Sequence, residues 1–460
     1  MNSSDKKQSL IYGIYAGYAA FFILLLFSVI FYPERTCFSD SAFQGFFIVN
    51  TKSVSIPLDR FGSVLVQVVP ALLVNLDVPL KYVLIGFSAS FVLQNLILFL
   101  LLHKLLRQYE PALILALYNV LMVTETFYLP TSEVKQGFSL TIFASGLALA
   151  LPIGNFSGIK KAFVLLLYTA ILVTAIFLHP FVIAAVLFFT GYLALHKNRN
   201  FRISAGWILL IALAGATLKF IIFHANDYDA LMYGRSKNFI IFFPDYLALP
   251  GFGRFLDYCR SDWYLYAVML LAVSLFYLRK RLFLKLFWLL GFTVGCLLLI
   301  IVSFAEEPPK FYIESFYLAL GIFALYPFVT ELLPHVKVKH AVAMLALIFA
   351  LRLNAIYHAH SFFTARLSWI RDMLREQPGK FIIRDDLASV DFLKAQWAVA
   401  FESLMFSSIA APDSARSFII LSDTNYYAEL DSSGGYIYTP MRAIPYDKLN
   451  PHYFRPKPER

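Results

Sequence analysis

The chain has 460 residues, of which 59% are hydrophobic, 17% aromatic and only 15% charged, which excludes a water-soluble globular fold. A formal net charge of +10 would point to nucleic acid in a soluble protein. Here the basic residues occupy short loops between apolar runs, where they orient spans and meet anionic lipid, so nucleic-acid binding is set aside.

Lys6 and Lys7 precede an apolar run from about Leu10 to Phe31. That run is too long for a signal-peptide core and has no A-x-A-like site behind it, so it reads as a first span. Further runs fit to cross roughly 30 Å of hydrocarbon fall near residues 82–103, 111–128, 138–153, 162–178, 181–195, 203–223, 263–278, 286–304, 311–333 and 340–357. The segment Phe61 to Leu80 is also apolar but carries Gln67, Pro70, Asn75 and Asp77. It reads as an interfacial helix that extends the first outer loop over residues 32–80.

Charge tests that choice. With the amino terminus in the cytoplasm, the inner loops carry Lys104 and Arg107; Lys160 and Lys161; Lys197, Arg199 and Arg202; Arg279, Lys280, Arg281 and Lys285; then Lys337 and Lys339. The opposite loops hold most of the carboxylates, among them Asp40, Asp59, Glu133, Asp227, Asp229, Asp262, Glu306 and Glu307. Counting Phe61 to Leu80 as a span would scatter this pattern, so positive-inside bias predicts about 11 spans in an inner membrane, with the carboxyl terminus outside. From about Ser361 polar residues return, and Lys380-Phe-Ile-Ile-Arg384, Val390 to Ile409 and Ser417-Phe-Ile-Ile-Leu421 read as strand, helix and strand. The expectation is an all-α polytopic membrane protein whose transmembrane domain covers 1–360, followed by a small α/β extracytoplasmic domain over 361–460.

The first outer loop, Tyr32 to Arg60, gathers charge in a chain short of it. Asp40 reads either as a general base or divalent-cation ligand beside the membrane, or as the cap of a short helix beginning at Ser41. Glu125 falls inside the third predicted span, where an ionisable group needs a cavity or a partner, and Glu133 follows in a short outer loop. Glu125 acts as a second acid or sugar-hydroxyl acceptor, or it is neutral or paired with Lys135 or Arg60 and holds the bundle together, and Glu133 with Gln136 reads as lining the same cavity. His179 precedes Pro180 at the outer end of the fifth span, as a site residue or an interfacial hydrogen-bonding group. Lys310, Arg60 and Arg254 are rival holders of a lipid phosphate, against a bland reading of snorkelling at span ends. The loop His224 to Asp262 has no strong metal spacing and reads as solvated. Cys37, Cys259 and Cys296 form no metal-ligand pattern, and a Cys37–Cys259 bridge stays open because both fall on the outer side.

The many-span body, about residues 10–357, with Asp40 in SDSAF near the start of a long first outer loop and a carboxyl-terminal outer domain, resembles the GT-C superfamily of integral-membrane glycosyltransferases. That group includes protein O-mannosyltransferases, the lipid A aminoarabinose transferase and oligosaccharyltransferases. The resemblance implies a GT-C-like fold and transfer of a sugar from a polyprenyl (di)phosphate carrier to an extracytoplasmic glycan, lipid or protein. It implies Asp40 as the catalytic carboxylate that takes the acceptor proton and a cation among Arg60, Arg254 and Lys310 as the substrate-binding group at the departing phosphate; Glu125 and Glu133 as further catalytic candidates and His179 as a further substrate-binding candidate rest on their positions in the sequence. No cofactor follows from it, and a divalent cation is left open. An O-antigen-type polysaccharide polymerase or ligase is the alternative, and a transporter or flippase ranks below it.

Overall fold

The computed structural model describes residues 3–153, 158–196, 199–222, 234–306, 308–376, 381–383, 396–421, 435–439 and 443–456. About 80% of it is helical. Among the described residues six helices are long and apolar enough to cross a membrane: Lys7–Ile30, Leu80–Leu105, Arg199–Ile221, Phe283–Ser303, Lys310–His335 and Val338–Arg375. The count reaches seven if Pro250–Ser261 and Tyr264–Arg279, bent by 92°, form one broken span. Helices dominate because an apolar backbone in lipid must satisfy its own N–H and C=O groups. The chain is therefore a multi-pass membrane protein by the length and composition of its helices.

In chain order the described α-helices of five residues or more are α1 (Ser3–Ile30), α2 (Tyr32–Thr36), α3 (Ser39–Thr51), α4 (Val64–Asn75), α5 (Leu80–Leu100), α6 (Tyr109–Tyr118), α7 (Glu133–Ile153), α8 (Gly158–Leu178), α9 (Val182–Ala194) and α10 (Arg199–Thr217). They continue as α11 (Pro250–Ser261), α12 (Tyr264–Arg279), α13 (Phe283–Ser303), α14 (Lys310–Pro327), α15 (Val338–His358), α16 (His360–Glu376) and α17 (Val399–Ser407). Helix α14 is the axis of the bundle. Its residues from Glu314 to Pro327 are buried on every face, and α6, α7, α9, α12 and α13 pack around it, as expected for a helix that is apolar all round. Close helix approach is visible at Gly191 of α9, where an added Cβ would lie 1.9 Å from the Trp288 indole of α13.

The third predicted span, 111–128, is not a continuous helix. Helix α6 stops at Tyr118, and residues 119–132 run irregularly through the interior with one 3-10 turn at Glu125–Phe127. Such backbone survives at this depth only where protein groups replace its helical hydrogen bonds. Arg352 donates to the carbonyls of Val120 at 3.1 Å and Val123 at 2.9 Å. The Glu314 carboxylate accepts from the Thr124 amide at 2.5 Å and from the Thr126 amide and hydroxyl at 3.1 and 2.6 Å, and also from the Thr124 hydroxyl. Glu314 is fully buried, whereas the Glu125 side chain, which the sequence places inside a span, is 25% exposed.

Loops separate into two ends. Tyr18 bonds His103, and Lys285 pairs with Glu331, at the end carrying Arg199, Arg279 to Arg281, Lys337 and Lys339. The first loop, residues 119–132 and the start of α14 lie at the other. There the carboxyl-terminal part does not stand apart from the bundle: α15 and α16 run nearly end to end through residue 361. Parallel strands β1 (Phe381–Ile383) and β2 (Ile419–Leu421), the antiparallel pair β3 (Tyr436–Tyr438) and β4 (Ala443–Pro445), and α17 complete it. Phe46 and Val49 of α3 and Phe87 of α5 share one core with Phe401, Met405 and Phe454. Asn450 clasps α3, donating from its amide to Asn50 Oδ1 at 2.8 Å and from its side chain to the Val49 carbonyl at 3.0 Å.

Candidate functional site

Asp40 is built by the turn before it. Phe38 is extended, Ser39 takes a left-handed φ of 43°, and α3 begins at Ser39 with no side-chain cap. A non-glycine residue in that region is strained and must be held. The holder is Glu402 of α17, which accepts the Ser39 amide at 2.8 Å and an Arg366 Nε bond at 2.8 Å, with the side chains of Arg366 and Glu402 only 1% and 0% exposed. Asp40 is thus not the helix cap, and its carboxylate makes no hydrogen bond or ion pair among the described residues.

Beside it, Arg60 Nη1 pairs with Glu133 Oε2 at 3.0 Å, with 7% and 13% of their side chains exposed. Burial pushes the Asp40 carboxyl up to about 7; the charge of Glu133 adds to this and that of Arg60 opposes it. His179 completes the group. Its Nδ1 accepts the Phe181 amide at 3.1 Å and its ring meets Phe316 edge-on at 5.5 Å. Burial, then the charges of Arg60 and Lys219, hold it well below the usual histidine range, so the imidazole is neutral. Lys219 donates to the last carbonyls of α8, Ile176 at 3.3 Å and Phe177 at 3.0 Å.

A second cluster forms where α14 begins. Lys310 Nζ lies 2.6 Å from Asp262 and 3.8 Å from Glu125, and 5.4 Å from the centre of the Tyr258 ring. Arg254, exposed and one turn before Tyr258 on α11, contributes charge there. The two clusters are joined by the irregular segment, which carries Glu125 in its 3-10 turn and leads into Glu133 at the start of α7, and by α14, which carries both Lys310 and Phe316. Ser41 and Thr131 share a hydrogen bond of 3.1 Å between their hydroxyls.

Sequence reasoning thus named residues that the fold gathers as Asp40, Arg60, Glu133 and His179 in one group, and Glu125, Arg254 and Lys310 in the other. It missed Asp262 and Lys219, and also Arg35, whose guanidinium bonds Ser88 Oγ at 2.7 Å, the Ser88 carbonyl at 3.0 Å and the Phe127 carbonyl. The available signal was a charged residue within or beside an apolar run. All three cysteines are free thiols, so no Cys37–Cys259 bridge is made; Cys37 lies in the core shared with the carboxyl-terminal segment, whereas Cys259 packs against that of the bundle. Among the described residues no three His, Cys, Asp or Glu side chains are placed to hold a metal ion. Asp227, Asp229 and Glu307 lie outside the described residues.

Fold and site together define a polytopic helical membrane protein with two charged clusters at one end of its bundle. No family model, no curated protein and no solved structure matches the chain.

Proposed function

We propose that the chain is a membrane glycosyltransferase of the GT-C type, moving a sugar from a polyprenyl (di)phosphate carrier to an extracytoplasmic glycan, lipid or protein acceptor. One observation carries this reading: a carboxyl group without a hydrogen-bond partner among the described residues, on the first loop beside the membrane, tuned by burial and Glu133 to about 7. A base with that pKa takes a proton at neutral pH and can return it. In the proposed step the acceptor hydroxyl attacks the anomeric carbon while Asp40 removes its proton. The bond from that carbon to the phosphate oxygen breaks, and the carrier phosphate leaves with the electron pair. Lys310 and Arg60 supply positive charge toward the leaving group. In this reading the Asp40 end lies outside, which brings donor and acceptor to one face of the membrane.

The broken third span favours a second reading, a transporter or flippase, since irregular backbone often lines a translocation path. Against it, Glu314 spends its oxygens on Thr124 and Thr126, which is a structural use. A transfer assay on detergent-solubilised protein with polyprenyl-phosphate sugar separates the two, because a transporter makes no product where no compartments exist. Transfer by wild type and none by a well-folded Asp40→Asn variant is the expected result; full transfer by the variant would remove Asp40 from the mechanism.

A further inference from the structure

At the basic end of the bundle, remote from Asp40, a cavity of about 720 Å³ opens between the ends of α9, α13 and α14. Its volume is within the roughly 300–1,000 Å³ of small-molecule sites. Phe189, Leu193, Leu149 and Tyr326 form apolar walls, and Arg281, Lys285 and Glu331 line the polar side. Lys285 and Glu331 pair at 2.5 Å, Tyr192 donates its hydroxyl proton to Glu331, and the Lys285 ammonium sits 5.4 Å from the centre of the Tyr192 ring. These groups satisfy one another and form a fixed polar floor.

Arg281 differs. It occupies the tight turn between α12 and α13 with a left-handed φ of 56°, it is exposed, and its guanidinium makes no hydrogen bond or ion pair among the described residues. Directly after it, Phe283, Leu284 and Phe287 are 51%, 65% and 72% exposed. Apolar surface of that kind on a membrane protein meets acyl chains. The same end carries Arg279, Lys280, Arg199, Arg202 and Lys337 against Glu110 and Glu331, so the local field attracts anions.

A cationic rim, an apolar pocket and an apolar apron in continuity describe a receptor for an amphiphile. We propose that this cavity binds one lipid with an anionic phosphate headgroup, its phosphate on Arg281 and its apolar part against Phe189, Leu193 and Tyr326. A free phosphate would leave the apolar walls unused, and a zwitterionic lipid would bring a second cation to a basic rim. The site is independent of the transfer reaction proposed for Asp40.

The test uses the full chain in non-ionic detergent with fluorescent short-chain phosphatidylglycerol, alongside phosphatidylcholine of equal chain length. Saturable binding of the anionic lipid at least about tenfold tighter than the zwitterionic one is expected. Arg281→Glu at the exposed turn, and Leu149→Trp, which fills the cavity, should each weaken it by about tenfold or more. Displacement by farnesyl phosphate would assign the natural ligand to isoprenoid phosphates, and failure to displace would assign it to phospholipids; both keep the site. Equal binding of the two headgroups by wild type overturns it and requires no variant to fold. So do unchanged binding in both variants and displacement by inorganic phosphate alone.

Discussion

Asp40 lies in the first turn of a helix, where the partial positive charge of the N-terminus favours a carboxylate. Burial and Glu133 outweigh that, and the group is held at about 7 against an ordinary 3.8. In Glu133→Gln the neighbouring negative charge is gone and Arg60 is released from it, so both changes lower the Asp40 pKa. The acidic limb of the pH–activity profile should then move to lower pH; a limb that stays or rises contradicts the electrostatic coupling. For stability, the folded state keeps a proton that the unfolded chain has released between about pH 4 and 7, so this group costs stability as pH rises through that window. Asp40→Asn should therefore be more stable than wild type by ~1–3 kcal/mol at pH 8 and by much less at pH 4.5. Thermal melts at the two pH values check this, and an equal difference at both would refute the raised carboxyl pKa.

The elements at the Asp40 end depend on buried charges used as scaffolding. Glu402 and Arg366 form a pair at 2.8 Å with almost no exposure, and Glu402 also holds the strained Ser39. Removing one partner strands the other in the core, so Glu402→Ala should cost about 3–5 kcal/mol, whereas the Glu402→Leu, Arg366→Leu double change should cost markedly less. A double-mutant cycle by denaturation reads the difference, and additive effects would show that the pair does not couple. Helix α6 illustrates the limit of pattern reading. Residues 111–128 are apolar enough for a span, but Arg352 and Glu314, more than 180 positions further along, satisfy the irregular backbone instead. Apolar composition reports burial, and burial alone does not distinguish a helix from a well-partnered loop.

At the scale of the whole molecule, the first loop and the carboxyl-terminal segment form one unit, because the apolar side chains of α3 and α17 cover each other. Ending the chain after Glu376 would expose Phe46 and Phe87, and the shortened protein should aggregate or melt well below the full chain in detergent. The two ends of the bundle also predict labelling. Ser53→Cys in the first loop and Lys280→Cys in the turn after α12, both at exposed positions, should react with a membrane-impermeant thiol reagent from opposite sides of sealed vesicles. Reaction of both from one side would break the end-to-end arrangement.

By itself the sequence determined that this is a multi-pass helical membrane protein, because long apolar runs have few other ways to satisfy their backbone. It also singled out Asp40, Arg60, Glu133 and His179, since charge is conspicuous in such a chain. Folding in three dimensions brings these four into one group, leaves the cysteines free, and takes residues 119–132 out of the helix. Those outcomes rest on contacts between residues far apart in sequence, such as Ser39 with Glu402 and Thr124 with Glu314. No local pattern encodes such pairings, because each partner becomes a partner only when packing excludes water around it.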